Sequence, residues 1–416
     1  MKKRYEVLVV MAIFSIITYM DRTAISITGK SITADLGLTE IQFGYIGAAF
    51  AFAYGAFDIP TGIMGDKWGP RMVLIRIVIW WSIFTVLTGF VNGFLMLLIV
   101  RFLFGMGEAG AYPNATVAIS RWFPKSERGS AQSIVWMGSR IGGALAPLAA
   151  TYIMTQYGWR YVFYVFGVMG ALWVIYWAFW FKDEPRNMKG ISDAEVKEIE
   201  EGREIKSASH TLSWDSWKTI LKNSNLWALM MMYHFLLYGA YFYLTWMPKY
   251  LEKGRRVSKE DMVYMAALPF LLGIFGCLIG GYSSDFLSKK YGLKLGRRIV
   301  GMTGLVVSGI CMITATLIKD NSVSIIFLSL GLAFKDFTLP VAWAVAGDIG
   351  GINAGSISGA MSMMGQLGST ISSIAFGYIL THTGSWETPV QIIGVIVILG
   401  GILWLKVDAS KKILIS

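Results

Sequence analysis

Apolar runs of about 20 residues or more recur from one end of the chain to the other, enough for each to cross a hydrocarbon core of ~30 Å as a helix. The pattern predicts twelve spans, at 6–29, 40–64, 72–93, 95–120, 129–156, 160–181, 225–251, 261–287, 298–318, 323–347, 353–381 and 387–407. The polar interruptions are short, and the weakest, "GFVNGFLM", separates the third span from the fourth. One stretch is different. Residues 182–224 are polar throughout, and within them "SDAEVKEIEEGRE" predicts a short surface helix opened by Ser192. This insert divides the chain into an N-terminal half (1–181), a linker (182–224) and a C-terminal half (225–416), with six spans on each side. The fold class is therefore all-α integral membrane.

Charge orients the spans. Lys2, Lys3 and Arg4, then Lys67 and Arg71, then Arg121, Lys125 and Arg128 fall on one side. The linker, the "FLSKKYGLKLGRR" loop and Lys406, Lys411 and Lys412 fall on that side too. Basic residues collect in the cytoplasm, so both termini are expected there. "KYLEKGRRVSK", between spans seven and eight, is basic but external by this count; it is a solvated loop or lies near the mouth of an anion path. The start of the chain is basic and then apolar, but "YMDR" stands where a small-residue cleavage site would be, so an uncleaved first helix is expected.

Composition narrows the classes. Of the 416 residues 55% are hydrophobic and only 15% charged, too few charges for a soluble chain of this length. The net charge of +11 lies in loops between spans, which speaks for a membrane surface and against nucleic acid. Cys277 and Cys311 both fall in apolar runs and are expected as buried thiols. No metal-ligand spacing, nucleophile elbow or phosphate loop is present, so no cofactor and no enzymatic activity are expected.

The two halves echo each other. "GIMGD" closes the second span at Asp66 and "GYSSD" closes the eighth at Asp285, each followed by a basic, Gly-containing loop. Repeated halves of this kind are expected of carriers whose site lies between them at mid-membrane. "GDKWGPRMVL" (Gly65–Leu74) resembles the loop between helices 2 and 3 of the major facilitator superfamily: glycine permits the tight turn, Asp66 pairs with a base or caps the next helix, and Arg71 anchors the inner end. "RFLFGMGEAGAYPNATVAISRWFPKSERGSA" resembles the anion:cation symporter branch of that superfamily, as do "YMDRTAIS", "GSRIGGALAP" and "AWAVAGDIGGINAGSISGAMSMMGQLG". The resemblance spans both halves. It implies two six-helix bundles around a central cavity, with Gly65, Asp66, Arg71 and Asp285 as the conformational motif.

Charges at mid-span cost about 3 kcal/mol each on insertion scales, so they are functional candidates. Tyr19 and Arg22 share one face of the first span, and Asp21 points elsewhere. An arginine there can grip a carboxylate through its planar fork. Tyr54 and Asp58 lie one turn apart, and Asp58 is either a second protonatable carboxyl or a neutraliser of a nearby arginine. Arg101 and Glu108 lie two turns apart on one face, with Arg101 the expected partner of Glu108. Arg140 in "GSRIGG" contacts substrate or balances Asp58 or Glu108. Lys335 and Asp336 form a mid-span charge pair, and Pro340 a turn later leaves a carbonyl unpaired and can break the tenth helix at the cavity. The resemblance adds roles. It implies that Arg22, Tyr54 and Trp343 touch substrate, and that Asp21 and Glu108 carry protons. Where many members of the branch have asparagine, this chain has Ser362, with Gln366 one turn on as an alternative amide. For each of these residues, packing or a static ion pair is the competing reading.

These features lead to a secondary transporter, with proton-coupled import of a small organic anion by alternating access. The resemblance points to a sugar acid such as a hexonate or hexuronate. A monomer in the inner membrane of a bacterium is expected, with the anion, protons and the bilayer as its only partners. Sodium coupling, anion exchange and a sensor that no longer transports are the alternatives.

Overall fold

The computed structural model describes residues 2–201, 218 and 220–413, and among these the chain is helical with no strand. The rest of the predicted linker, 202–217 and 219, lies outside the described residues. Eight helical runs are apolar and long enough to cross a membrane, one of them (Asn321–Thr383) containing two helices. The fold is that of an all-helical membrane protein with twelve spans in two six-helix halves.

The chain forms two compact units. Unit 1 holds Met1–Pro124, Val135–His210 and Ile352–Gly359; unit 2 holds Lys125–Ile134, Thr211–Gly351 and Ala360–Ser416.

Unit 1 is built on α1 (Lys3–Leu36), α2 (Glu40–Trp68), α3 (Pro70–Thr88), α4 (Phe94–Glu108), α5 (Ala111–Trp122), most of α6 (Arg128–Tyr157), α7 (Trp159–Trp180) and the short α8 (Asp193–Glu200). Helix α2 opens with a capping box, the Thr39 hydroxyl accepting from the Gln42 N–H and the Gln42 side chain from the Thr39 N–H. It ends at Gly69, whose φ of +88° makes the sharp turn into Pro70, the first residue of α3. Gly65 is not part of that turn. It lies inside α2, where a Cβ would overlap the Asn114 side chain. Gly138 and Gly142 of α6 sit against the backbone carbonyls of Ala12 and Ile16, so α6 approaches α1 closely.

The fourth span is not the single helix expected over 95–120. It breaks at Ala109–Gly110, and Gly110 adopts φ +80°. The first span is longer than expected, running on to Leu36.

Helix α8 packs on the start of α1. The Glu195 carboxylate accepts the backbone N–H groups of Lys3 (3.0 Å) and Arg4 (2.9 Å), which begin α1 and have no intrahelical acceptor. Glu198 pairs with Lys2 (2.6 Å) and Arg4 (2.7 Å). Hydrogen bonds from Arg4 and then Lys2 hold the Glu198 carboxyl down from 4.5 to about 2.

Unit 2 contains α9 (Ser224–Tyr241), α10 (Lys259–Tyr291), α11 (Leu293–Leu317), α12 (Asn321–Gly350), most of α13 (Ala354–Thr383) and α14 (Glu387–Leu403). Beyond α9 the seventh span continues through two π-helical turns, Phe242–Trp246 and Tyr250–Gly254. Gly276 and Gly280 of α10 lie directly on the Ala333 and Phe337 carbonyls of α12. Helix α12 runs unbroken through Pro340, so the break that proline can cause does not occur here. Proline removes one N–H, and the close packing of α10 along this stretch keeps the helix continuous on both sides.

Candidate functional site

Unit 1 surrounds Arg22 with aromatic rings and the Glu108 carboxylate. Its guanidinium lies 4.6 Å from the Tyr54 ring centroid, 5.5 Å from Tyr19 and 5.6 Å from Phe50. Its Nε donates to Glu108 Oε1 at 3.2 Å, and Nη2 lies 3.1 Å from the same oxygen. Glu108 is fully buried at the last position of α4, and its second oxygen has no hydrogen-bond partner. The spacing of Tyr19 and Arg22 thus does place them together, with Tyr54 one helix away.

Glu108 forms its ion pair with Arg22, not with Arg101 as expected. Arg101 is buried and stacks on Phe104 (4.3 Å) and Phe50 (5.2 Å), with Nε unpartnered. Arg22 and Arg101 therefore share the Phe50 ring. Seven residues along one helix aligned Arg101 with Glu108, but the aromatic rings of α2 and α4 take its cation instead.

Asp21 points away from this group, as its place on the helix requires. It is buried, facing the Trp81 indole and the Thr85 hydroxyl of α3, and neither carboxylate oxygen makes a well-formed hydrogen bond. Asp58 has a role that neither expectation covered: its Oδ1 accepts the Gly110 N–H at 2.8 Å. This bond satisfies the first donor of α5 at the break behind Glu108.

Two aromatic residues that the pattern did not single out complete the cluster. Tyr112 stacks on Trp136 (4.3 Å, 9°), meets Tyr19 edge-on (6.3 Å) and shares a hydrogen bond with Ser15 (3.0 Å). Phe50, Tyr112 and Trp136 each lie four residues from a residue already singled out (Tyr54, Glu108 and Arg140), so helical spacing was the available signal. Arg140 is partly exposed on α6, two residues from the Gly142 contact with α1.

In unit 2, the Trp343 indole N–H donates to the Tyr233 hydroxyl (3.0 Å), and the rings meet at 89°. Trp343 and Ser362 are buried, and Gln366 is partly exposed. Lys335 Nζ lies 2.6 Å from Asp336 Oδ1, both side chains buried.

The Gly-x-x-x-Asp echo has one structural meaning in both places: each aspartate caps a helix N terminus. Asp66 accepts from the Gly355 N–H (2.7 Å), the Ser356 N–H (2.7 Å) and the Ser356 hydroxyl (2.6 Å), at the start of α13. The capped helix is not the next one along the chain, as expected. Asp285 accepts from the Gly129 (3.0 Å) and Ser130 (2.6 Å) N–H groups at the start of α6, and pairs with Arg297 (2.7 Å). Arg297 also lies 3.4 Å from Asp348, which pairs with Arg128 at 3.0 Å. Arg71 anchors the base of α7, its guanidinium donating to the Ala178 carbonyl and its N–H to Asp183 (2.9 Å). Burial pushes the Asp183 carboxyl up, while the Arg71 N–H and Arg121 pull it the other way.

A chain of two six-helix halves, with buried charge at mid-span and a capping aspartate at the end of a span in each half, is built as a membrane carrier. The chain belongs to the Major Facilitator Superfamily, whose profile matches residues 11–293. It is 35% identical to a probable sulfoacetate transporter of Cupriavidus necator, over 98% of this chain and 94% of that one. It is 30% identical to a probable galactarate/D-glucarate transporter of Bacillus subtilis, over 94% and 89%. Among solved structures, a proton:xylose symporter bound to 6-bromo-6-deoxy-D-glucose aligns with a TM-score of 0.75 at 14% identity, over 97% of this chain and 95% of that one. The protein is a transporter and not an enzyme.

Proposed function

We propose that this transporter imports a small organic anion together with protons, by alternating access. The observation that carries the reading is the buried Arg22–Glu108 pair inside its ring of Tyr19, Phe50 and Tyr54. A substrate carboxylate presents the same two oxygens as Glu108 and competes for the same planar fork. When the anion takes Arg22, Glu108 is left as an uncompensated buried charge. A proton on Glu108 removes that charge, so anion and proton load together. Asp21, buried against α3 without a good hydrogen bond, serves as the second proton carrier. Arg140, Trp343, Ser362 and Gln366 are assigned to substrate contact. The protein works as a monomer in the inner membrane, with both termini cytoplasmic.

The substrate class suggested by the resemblance is a sugar acid, a hexonate or hexuronate, and relatives carrying such names support it. A second reading is a short dianion such as a sulfonated carboxylate. Ser362 lacks the amide that would suit a polyhydroxylated chain, and the sulfoacetate relative shares 35% of its residues with this protein.

The test is uptake into proteoliposomes of labelled galactonate, glucarate, glucuronate and sulfoacetate, with and without an inward proton gradient. Gradient-driven accumulation should be lost in Glu108→Gln, while exchange of labelled for unlabelled anion survives. Uptake indifferent to protons would replace this reading with sodium coupling or anion exchange. A compound that binds but never moves would favour a sensor.

A further inference from the structure

Two of the basic clusters among the described residues differ in how their charge is answered. In unit 1, Lys2, Lys3 and Arg4 are met by Glu6, Glu195 and Glu198. In unit 2, the turn between α10 and α11 brings Lys289, Lys290 and Lys294, and the segment after α14 brings Lys406 and Lys411. The acidic side chains there are already engaged: Asp408 pairs with Lys294 at 3.2 Å, and Asp285 is buried under Arg297. Lys289, Lys290, Lys406 and Lys411 are exposed and form no ion pair among the described residues.

The basic segment after α14 is held in place. Arg298 donates to the Val407 carbonyl (3.0 Å), Asn225 and Asp408 exchange two hydrogen bonds (2.9 and 2.8 Å), and the Ile413 N–H donates to the Ile349 carbonyl (2.9 Å). These bonds tie the backbone that carries Lys406 and Lys411 to the helix ends that carry Lys294 and Arg298, so the like charges are anchored at one end of unit 2. A bound anion offsets the repulsion among them. The neighbouring surface says which kind of anion. Tyr282 and Phe286 on α10, Ile299 on α11 and Leu405 after α14 are all exposed apolar side chains, between 44% and 68% accessible, in the span-facing direction from the lysines.

We infer that this corner binds an anionic phospholipid, its phosphate held by Lys289, Lys290, Lys406 and Lys411 and its acyl chains lying along the exposed apolar residues of α10 and α11. A juxtamembrane cluster of this size is the kind that recognises anionic headgroups. The apolar rim selects a lipid over a free phosphate.

The test is native mass spectrometry of the full-length protein from neutral detergent, titrated with phosphatidylglycerol or phosphatidylcholine. The unaltered protein should retain phosphatidylglycerol in preference to phosphatidylcholine. Each lysine near an anionic surface is worth about fivefold in affinity, so replacing all four with Gln should lower phosphatidylglycerol retention by at least ~10-fold and leave phosphatidylcholine unchanged. Replacing the same four with Arg should preserve retention, since Arg keeps the charge and grips phosphate. If the four-Gln protein does not fold, Lys406→Gln with Lys411→Gln alone should still lower retention. Equal retention of the two lipids, no loss in either Gln protein, or complete displacement by soluble glycerol phosphate would each overturn the inference.

Discussion

Asp66→Asn should open the start of α13. The carboxylate makes three hydrogen bonds there: Oδ1 receives the Gly355 N–H, and Oδ2 receives both the Ser356 N–H and its hydroxyl. Asparagine keeps one acceptor oxygen and turns an NH2 group toward donors at the other position. At least one charge-assisted bond is lost, about 1.5–3 kcal/mol. The attraction between a negative charge and the helix N terminus goes with it, about 0.3–2 kcal/mol. The total is roughly 2–5 kcal/mol, so amide hydrogen exchange at Gly355 and Ser356 should speed up by at least ~30-fold, with distant helices unchanged. Ser356→Ala removes only the hydroxyl bond and should give a smaller rise, about tenfold or less. The assay is hydrogen exchange read by mass spectrometry on peptides covering 352–359. Exchange in Asp66→Asn within about threefold of the unaltered protein would refute the capping argument, as would an equal rise throughout the chain.

Asp58→Asn should leave thermal stability and gradient-driven uptake close to normal, because the amide oxygen still accepts the Gly110 N–H, whereas Asp58→Ala should cost about 1–3 kcal/mol by orphaning that donor; loss of coupling in the asparagine protein would make Asp58 a proton carrier instead. Gly280→Val should destabilise by about 1–3 kcal/mol or more, read as a lower unfolding temperature, since its side chain meets the Phe337 carbonyl, while Gly44→Ala, in open space within α2, should be neutral or slightly stabilising. The α8 contact with the start of α1 should be indifferent to pH from 8 to 5: Glu198 is depressed from 4.5 to about 2, so its contribution is complete above the unfolded value and fades only as pH falls from 4.5 toward 2. Release of α8 between pH 7 and 5, followed by exchange at residues 195–200, would contradict this. The contribution itself is small, because the pair is well exposed.

Much of the fold was legible because lipid imposes a simple rule, and the long apolar runs became helical, although the fourth divides into two helices. The face shared by Tyr19 and Arg22, and the opposite direction of Asp21, followed from 3.6 residues per turn alone. What sequence could not supply was pairing across helices. Arg22 meets Glu108, 86 positions away, while Arg101 lost that partner to two phenylalanine rings. The function of Asp58 was hidden for a related reason: it serves a helix break that hydrophobicity conceals, since the apolar run continues across it. A signal was present in "EAGAYPN", where Pro113 after Gly110 marks the first turn of a new helix. Pro340 is the opposite case: a proline can break a helix, but dense packing carries this one past it.

The break at Gly110 also separates the angular phase of one span into two independent parts. In a continuous helix, each inserted or deleted residue turns everything beyond it by about 100°. Here the left-handed glycine interrupts that transmission, with Asp58 fastening the joint from outside. A one-residue change within Ala111–Trp122 can be absorbed on its own side, leaving the azimuth of Glu108 toward Arg22 untouched. The same change between Arg101 and Glu108 would swing the carboxylate away from the guanidinium.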